Sequence, residues 1–222
     1  MKQAPPKGTG LAARKQLSPR RKPLQQRSVA RSEQILEVTA ALLDRVGFDA
    51  LTTILIARET GISVGTLYHY FPNKHAIMYA MAEQWLREVE NALAEIDGWQ
   101  LATLGSEQFV DALIERQFAV YKAQSGILHL VQAMFSVPEL RTLDQRHDAL
   151  VIERMTAAFS RYGLKGSPTE LGRIARCYLE LTHALLLVVV NQEGKRSRRT
   201  LADLKRLALC LLQPCLEGEH PR

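Results

Sequence analysis

Cysteine is scarce and oddly placed: the 222 residues contain three, Cys177, Cys210 and Cys215, all in the last quarter of the chain. An odd, clustered set does not make the disulfide framework of a small secreted domain, so a reduced, cytoplasmic setting is expected. Long apolar runs are missing too. The longest uncharged one, residues 184–190, lies between His183 and Asn191. It falls far short of the roughly 18 residues a membrane helix needs and reads as buried core, so no membrane partner is expected. No stretch alternates apolar and polar residues with the period of two that a half-buried strand requires, which excludes a sheet and leaves an all-α fold. Also absent are a nucleophile with its base, a metal-ligand set and a phosphate-cradling glycine loop at workable spacing. That excludes catalysis, and no cofactor is expected. His129, His147 and His183 are too scattered for a metal motif, and Asp144, His147 and Asp148 read as an exposed polar face of one helix.

Negative charge is absent from the first 32 residues, which hold nine of the 29 Lys and Arg; the first acidic residue is Glu33. The other 190 residues carry 20 basic and 23 acidic side chains, so a cationic N-terminal end precedes a weakly acidic body. Such an end suits a polyanion, because neutralising phosphates releases condensed counterions. A solvated tail that only aids solubility is the alternative. Residues 1–27, with Pro5, Pro6, Pro19 and Pro23 and no apolar period, read as a disordered basic tail. No apolar segment follows Lys2 as a secretory signal would require, and the prolines break the amphipathic helix of a transit peptide.

What remains, 46% hydrophobic and 23% charged, suffices for one or two packed domains. Order is expected from Ser28. Ile35, Thr39, Leu42 and Val46 recur on one helical face, with Gly47 as a left-handed stop and Phe48 folding back on Leu43 in a Schellman ending. After Thr52 comes a short helix closed by Gly61. Ser63 then caps a second short helix that Pro72 ends, and the two make a helix-turn-helix. On the second helix Leu67, Phe71 and Val64 face inward, while Gly65 and His69 point away and Thr66, Tyr68 and Tyr70 flank them. That outer face is polar, aromatic and free of carboxylates, as a helix in a major groove needs. Packing of Tyr68 and Tyr70 at a helix crossing fits the same pattern. Asn73 caps the next helix and puts Lys74 in its first turn, where the helix dipole disfavours a cation unless a phosphate sits beside it.

Residues 31–86 strongly resemble the DNA-binding domain of the tetracycline-repressor (TetR) family. The resemblance is carried by Gly47-Phe48, Thr52-Thr53, Ile56-Ala57, Gly61-Ile62-Ser63, the run from Gly65 through Thr66, Leu67, Tyr68, His69 and Tyr70 to Phe71, and Asn73-Lys74. It implies a homodimer that binds a palindromic double-stranded DNA operator and is released by a small-molecule effector. By position it assigns Thr53 and Lys74 to phosphate, and Ser63, Val64, Gly65 and Thr66 to the groove. Tyr68 and Tyr70 go to the DNA backbone and His69 to a base edge. Ile54 and Leu55 stand where members often carry polar residues, so recognition is expected to lean on the second helix and on Arg20, Arg21 and Lys22 in a minor groove. A helical architectural protein with little sequence preference is the alternative function.

The remaining pattern gives a tail (1–27), a helix-turn-helix domain (28–75) and an effector-binding and dimerisation domain (76–222). One long linking helix is expected from Lys74 to about Ile96, then helices at 106–124, 126–135, 139–162, 168–192 and 198–213. In the fourth of these, Ile174, Cys177, Tyr178, Leu181, Leu185 and Val188 form one apolar side that Leu186, Leu187, Val189 and Val190 extend; it pairs with a stripe of Leu201, Leu204, Leu207, Ala208, Leu211 and Leu212. Two such helices per subunit make a four-helix interface, with a thick monomer core as the alternative. Trp85, Phe109, Tyr121, Met134, Phe135, Met155 and Phe159 are candidates for an effector pocket or for core. The few interior charges apparent favour an apolar or amphipathic effector.

Overall fold

The computed structural model describes residues 21–217, and these fold into helices with no strand among them. In chain order they are α1 (Arg21–Ala50), α2 (Thr53–Thr60), α3 (Val64–Tyr70), α4 (Lys74–Asp97), α5 (Ser106–Ala123), α6 (Ile127–Ser136), α7 (Pro138–Tyr162), α8 (Pro168–Val190) and α9 (Gly194–Glu217), with a 3₁₀ turn at Leu101–Thr103. The tail expected over residues 1–27 lies outside the described residues up to position 20. From Arg21 the backbone is already helical, seven residues before the expected start. Pro23 falls in the first turn, where a missing N–H costs no intrahelical bond.

Helix α1 buries Ile35, Thr39, Leu42 and Leu43 as its periodicity requires. Gly47 breaks it, but not as the expected Schellman stop. Its φ of 72° is positive while its ψ of 175° lies outside the left-handed helical well. That combination is accessible essentially to glycine alone, and it lets a further helical turn follow. Helix α2 packs on α1 and α3 on α2, with Leu51, Ile56, Ala57 and Leu67 all essentially inaccessible to solvent.

Helix α4 leaves this cluster and runs into the C-terminal half, burying Ile77, Met78, Met81, Trp85, Leu86, Ala92, Leu93 and Ile96 along one side. Its far end is anchored. Asp97 accepts from Arg154 (2.6 Å) and Arg161 (3.0 Å) of α7, and Arg161 also donates to the Ile96 carbonyl at 3.2 Å. Exposed ion pairs add little stability, but these fix where α4 meets α7. A second tie bypasses α4: the Gly126 amide, before α6, donates to Asp44 Oδ1 of α1 at 2.8 Å. Gly126 has a φ of +69°, and a Cβ there would lie 2.9 Å from the Ala40 carbonyl oxygen. Only glycine lets these two segments come this close.

The long apolar helix α8 buries Leu171, Ile174, Ala175, Tyr178, Thr182, Leu186 and Val189. This corrects the expected stripe. Of its six residues only Ile174 and Tyr178 are inside, whereas Cys177 and Val188 are exposed and Leu181 and Leu185 half-buried. Similarly, α9 turns Leu204, Ala208, Leu212 and Cys215 inward and leaves Leu207 and Cys210 outside. The pair thus has two apolar sides, one covered by the subunit's own core and one open.

Candidate nucleic-acid interface and an interior cavity

The turn between α2 and α3 is built by caps. Thr52 Oγ1 accepts from the Leu55 amide at 3.1 Å, and Gly61 closes α2 with φ 71° and ψ 33°. Ser63 Oγ accepts from the Thr66 amide at 3.0 Å and shares a 2.8 Å hydrogen bond with the Thr66 hydroxyl. Leu67 and Phe71 are buried and Val64 half-buried, as their wheel positions dictate. Ser63, Gly65, Thr66, Tyr68 and His69 are consequently exposed together on one face, with Tyr70 half-buried at its edge against the His69 ring. A Cβ on Gly65 would meet no atom of the protein closer than Ser63 Oγ at 3.8 Å. The chain's own packing therefore does not demand glycine there.

Thr53 joins the two helices: its hydroxyl shares a 3.2 Å hydrogen bond with the Tyr68 hydroxyl. Tyr68 is thus held against the start of α2 while half its surface stays open. Ile54 beside it is 68% exposed, an apolar side chain standing in solvent, while Leu55 packs against the core.

Lys74 has partners within the chain. Asn73 caps α4 by accepting from the Ala76 amide at 2.9 Å, as expected. The Lys74 ammonium then donates to the Phe48 carbonyl at 3.1 Å and lies 4.1 Å from the centroid of the Phe48 ring. The cost of a cation in the first turn is offset by a carbonyl dipole and an aromatic face without any phosphate. The pair fastens the end of α1 to the start of α4.

The interior candidates divide into two groups. Phe109 stacks on Tyr162 at 3.9 Å and meets Phe159 edge to face, and Phe159 in turn meets Tyr178. With the buried Met134 and Met155 these are core; the Phe135 side chain lies outside the described residues. Trp85 and Tyr121 are different. Their rings meet at 90° with centroids 5.5 Å apart, and both line a cavity with Gln117, Asp144, His147, Asp148 and His183. The Tyr121 hydroxyl and His183 Nδ1 share a 2.6 Å hydrogen bond. Asp144, His147 and Asp148 are therefore not the exposed polar face their residue types suggest. His147 is 8% exposed, and Val151 and Met155 continue the same buried stripe at helical spacing. That continuity was the available signal, since a polar residue in step with a buried stripe faces inward.

The electrostatics of the cavity follow from burial. Desolvation lowers the pKa of His147 and of His183 and raises that of Tyr121. Desolvation, then the neighbouring charges of Asp144 and Glu180, push Asp148 up to about 6, with Arg176 opposing. Asp144 is raised as well, by desolvation and by Glu180. Among the described residues no three His, Cys, Asp or Glu side chains are grouped so as to hold a metal ion, and no helix is long and apolar enough to cross a membrane.

Residues 35–81 match the family described as bacterial regulatory proteins, tetR family, and residues 107–212 match its tetracyclin repressor-like C-terminal domain. Among curated proteins, the chain is 30% identical over 109 residues to the HTH-type transcriptional regulator BetI of Vibrio parahaemolyticus, covering 48% of this chain and 53% of the relative. It is 38% identical over 58 residues to the HTH-type transcriptional repressor KstR of Rhodococcus jostii, covering 26% and 27%. The chain thus spans about half the length, or less, of these relatives. Among solved structures, a TetR transcription regulator from Haloarcula marismortui matches with a TM-score of 0.66 at 14% identity, over 84% of this chain and 98% of the other. Salmonella enterica GusR matches with 0.63 at 22% identity, over 83% and 96%. At such identities the structures speak to fold alone. The helix-turn-helix and the helical body each meet their own half of one family's description, and the chain belongs to the tetracycline-repressor family of transcriptional regulators.

Proposed function

We propose that the protein is a ligand-responsive repressor that binds a dyad-symmetric operator as a homodimer. The observation that carries this reading is the exposed, carboxylate-free face of α3, presented on a helix whose other side is locked into the core. On this reading Ser63, Val64, Gly65 and Thr66 approach the groove, with His69 at a base edge. Thr53, Tyr68, Tyr70 and the N–H atoms of Lys74 not engaged by Phe48 meet the DNA backbone. Gly65 supports this, because its missing side chain leaves room that the fold itself does not use. Residues 28–75 serve as the DNA-binding unit, and residues from 76 onward as the effector-binding and dimerisation unit.

The open side of α8 and α9 suits a second copy. Val188 is 42% and Leu207 49% exposed, beside the half-buried Leu181, Leu185 and Leu211. Covering such side chains in an isologous four-helix contact is favourable by roughly 25 cal/mol per Å² of apolar surface removed from water. Two α3 helices would then lie in successive major grooves, roughly 34–36 Å apart. Occupancy of a promoter blocks transcription, and an effector that prefers another spacing of the two helices releases the DNA.

Fluorescence anisotropy on a footprinted genomic site tests the reading. The expected result is binding at least about 10³-fold tighter than to random duplex. Tyr70→Ala should weaken binding by about tenfold or more while the sedimentation coefficient stays that of a dimer. Equal affinity for all duplexes, lost uniformly with salt, would instead identify an architectural DNA-binding protein.

A further inference from the structure

A second concentration of positive charge lies far along the chain from the first. Four of the five residues 195–199 are basic, Lys195, Arg196, Arg198 and Arg199, whereas between Leu181 and Ala202 the one acidic residue is Glu193. Without these four, the body from Glu33 onward would hold 16 basic against 23 acidic side chains, so the cluster runs against the charge of its own domain. All four side chains are exposed, and none has an ion-pair or hydrogen-bond partner among the described residues. The cluster is locally unfavourable. It occupies the first two turns of α9, whose dipole disfavours cations at that end, and Lys195 repels Arg198 and Arg199 across one helical turn. Lys74 meets the same difficulty with a carbonyl and a ring, but these four have no such neighbours among the described residues. By helical phase they fall opposite the inward Leu204, Ala208 and Leu212, and so form one open face.

The fold decides where that face lies. Helix α7 runs alongside α4 in the same direction: its His147 stands 3.6 Å from Glu90, and its Arg154 and Arg161 reach Asp97 at the end of α4. Helix α8 returns, and α9 reverses again. The Lys165 amide, between α7 and α8, donates to the Cys215 carbonyl near the end of α9 at 2.8 Å, while Ser197 Oγ near its start donates to the Val189 carbonyl at 3.0 Å. The end of α9 therefore shares the level of Asp97, remote from the helix-turn-helix. Its 24 residues, at about 1.5 Å each, bring its start roughly 35 Å back toward the N-terminal helices.

We propose that Lys195, Arg196, Arg198 and Arg199 form a second DNA-binding surface, which engages the phosphates of the duplex between the two half-sites. It rests on the dimeric DNA-binding reading above. A twofold axis that presents two copies of α3 to one duplex carries both clusters to that same side, flanking the axis and facing the stretch of DNA that neither α3 reads. Phosphates there carry no sequence information, so the surface adds affinity and a dependence on ionic strength without altering which site is chosen.

The test is the salt dependence of operator affinity, measured by fluorescence anisotropy on the full chain and on a variant combining Lys195→Gln, Arg196→Gln, Arg198→Gln and Arg199→Gln. The variant should bind about thirtyfold more weakly at about 50 mM salt and about twofold more weakly at about 300 mM, a slope of log K against log salt shallower by about 1.5. Its circular dichroism and sedimentation coefficient should match the parent's, since all four side chains are exposed. An operator whose linkages between the half-sites are uncharged methylphosphonates localises the effect: on it, parent and variant should bind alike. An unchanged slope, a loss that salt does not diminish, or an equal loss on the methylphosphonate operator overturns the proposal; an unchanged slope leaves the cluster a solvated helix end. The dyad-symmetric reading fails separately. If all duplexes bind equally, the same comparison of slopes on random duplex decides whether the cluster touches DNA: a shallower slope keeps it there although no half-sites exist, and an equal slope removes it.

Discussion

The start of helix α4 and its middle are built on opposite principles. Around its N-terminus the key polar groups have partners: Thr52, Ser63 and Asn73 cap helices, Thr53 holds Tyr68, and Lys74 holds Phe48. Eleven residues into the helix, Trp85 Nε1 and His147 Nδ1 are buried without a hydrogen bond among the described residues, beside two half-buried carboxylates. Satisfied groups make a fixed shape, suited to a template that meets the same DNA every time. Unsatisfied ones store a free-energy debt that a ligand can settle, so the region around them has a reason to change shape.

That contrast can be broken or sharpened by substitution. The largest effect is expected where the fixed region depends on one inaccessible side chain. Leu67→Ala should destabilise the helix-turn-helix by about 3 kcal/mol and abolish DNA binding, seen as an early transition in thermal melts. Next comes the tie between the regions. Gly126→Ala places a methyl against the Ala40 carbonyl at a positive φ and should cost about 2 kcal/mol, with DNA binding that no longer responds to effector. In the poised region the sign reverses. Because the pKa of Asp148 is about 6 in the fold against an ordinary 3.8, its contribution to stability is fully present below about pH 4 and lost as pH rises through 6. Asp148→Asn should therefore be more stable than the parent at pH 7, by about 1 kcal/mol given solvent screening in a half-open site, and the gap should close toward pH 4. The smallest effect is the most pointed. Gly65→Ala should stabilise α3 by about 0.5–1 kcal/mol, since nothing in the chain opposes a methyl there, yet weaken operator binding. If it leaves DNA affinity unchanged, α3 does not approach the duplex closely.

The same contrast explains what the sequence made legible. The cap residues, the helix-turn-helix and helices α5–α9 could be read to within four residues at their ends, because local signals (Ser63 before Val64, Pro168 after Ser167, Gly163 after Tyr162) decide them. The partner of Lys74 could not, since Phe48 is 26 residues away and only the packing of α1 on α4 brings it near. The carboxylates of α7 face inward against their residue type, because phase outweighs polarity there: Asp144, His147 and Asp148 keep step with the buried Val151 and Met155. The two sides of α8 are apolar alike, so composition cannot say which one the subunit covers.

The contact between Gly126 and α1 has a mechanical consequence. The N-terminal helices are held to the body at two separate places, by the chain itself where α4 begins and by the Asp44 carboxylate on the turn before α6. An object fastened at two points keeps only one easy rotation, about the line through them. On the ligand-responsive reading proposed above, a push on α4 from within would be answered by the N-terminal helices tilting about that line, a single defined swing in place of a diffuse expansion.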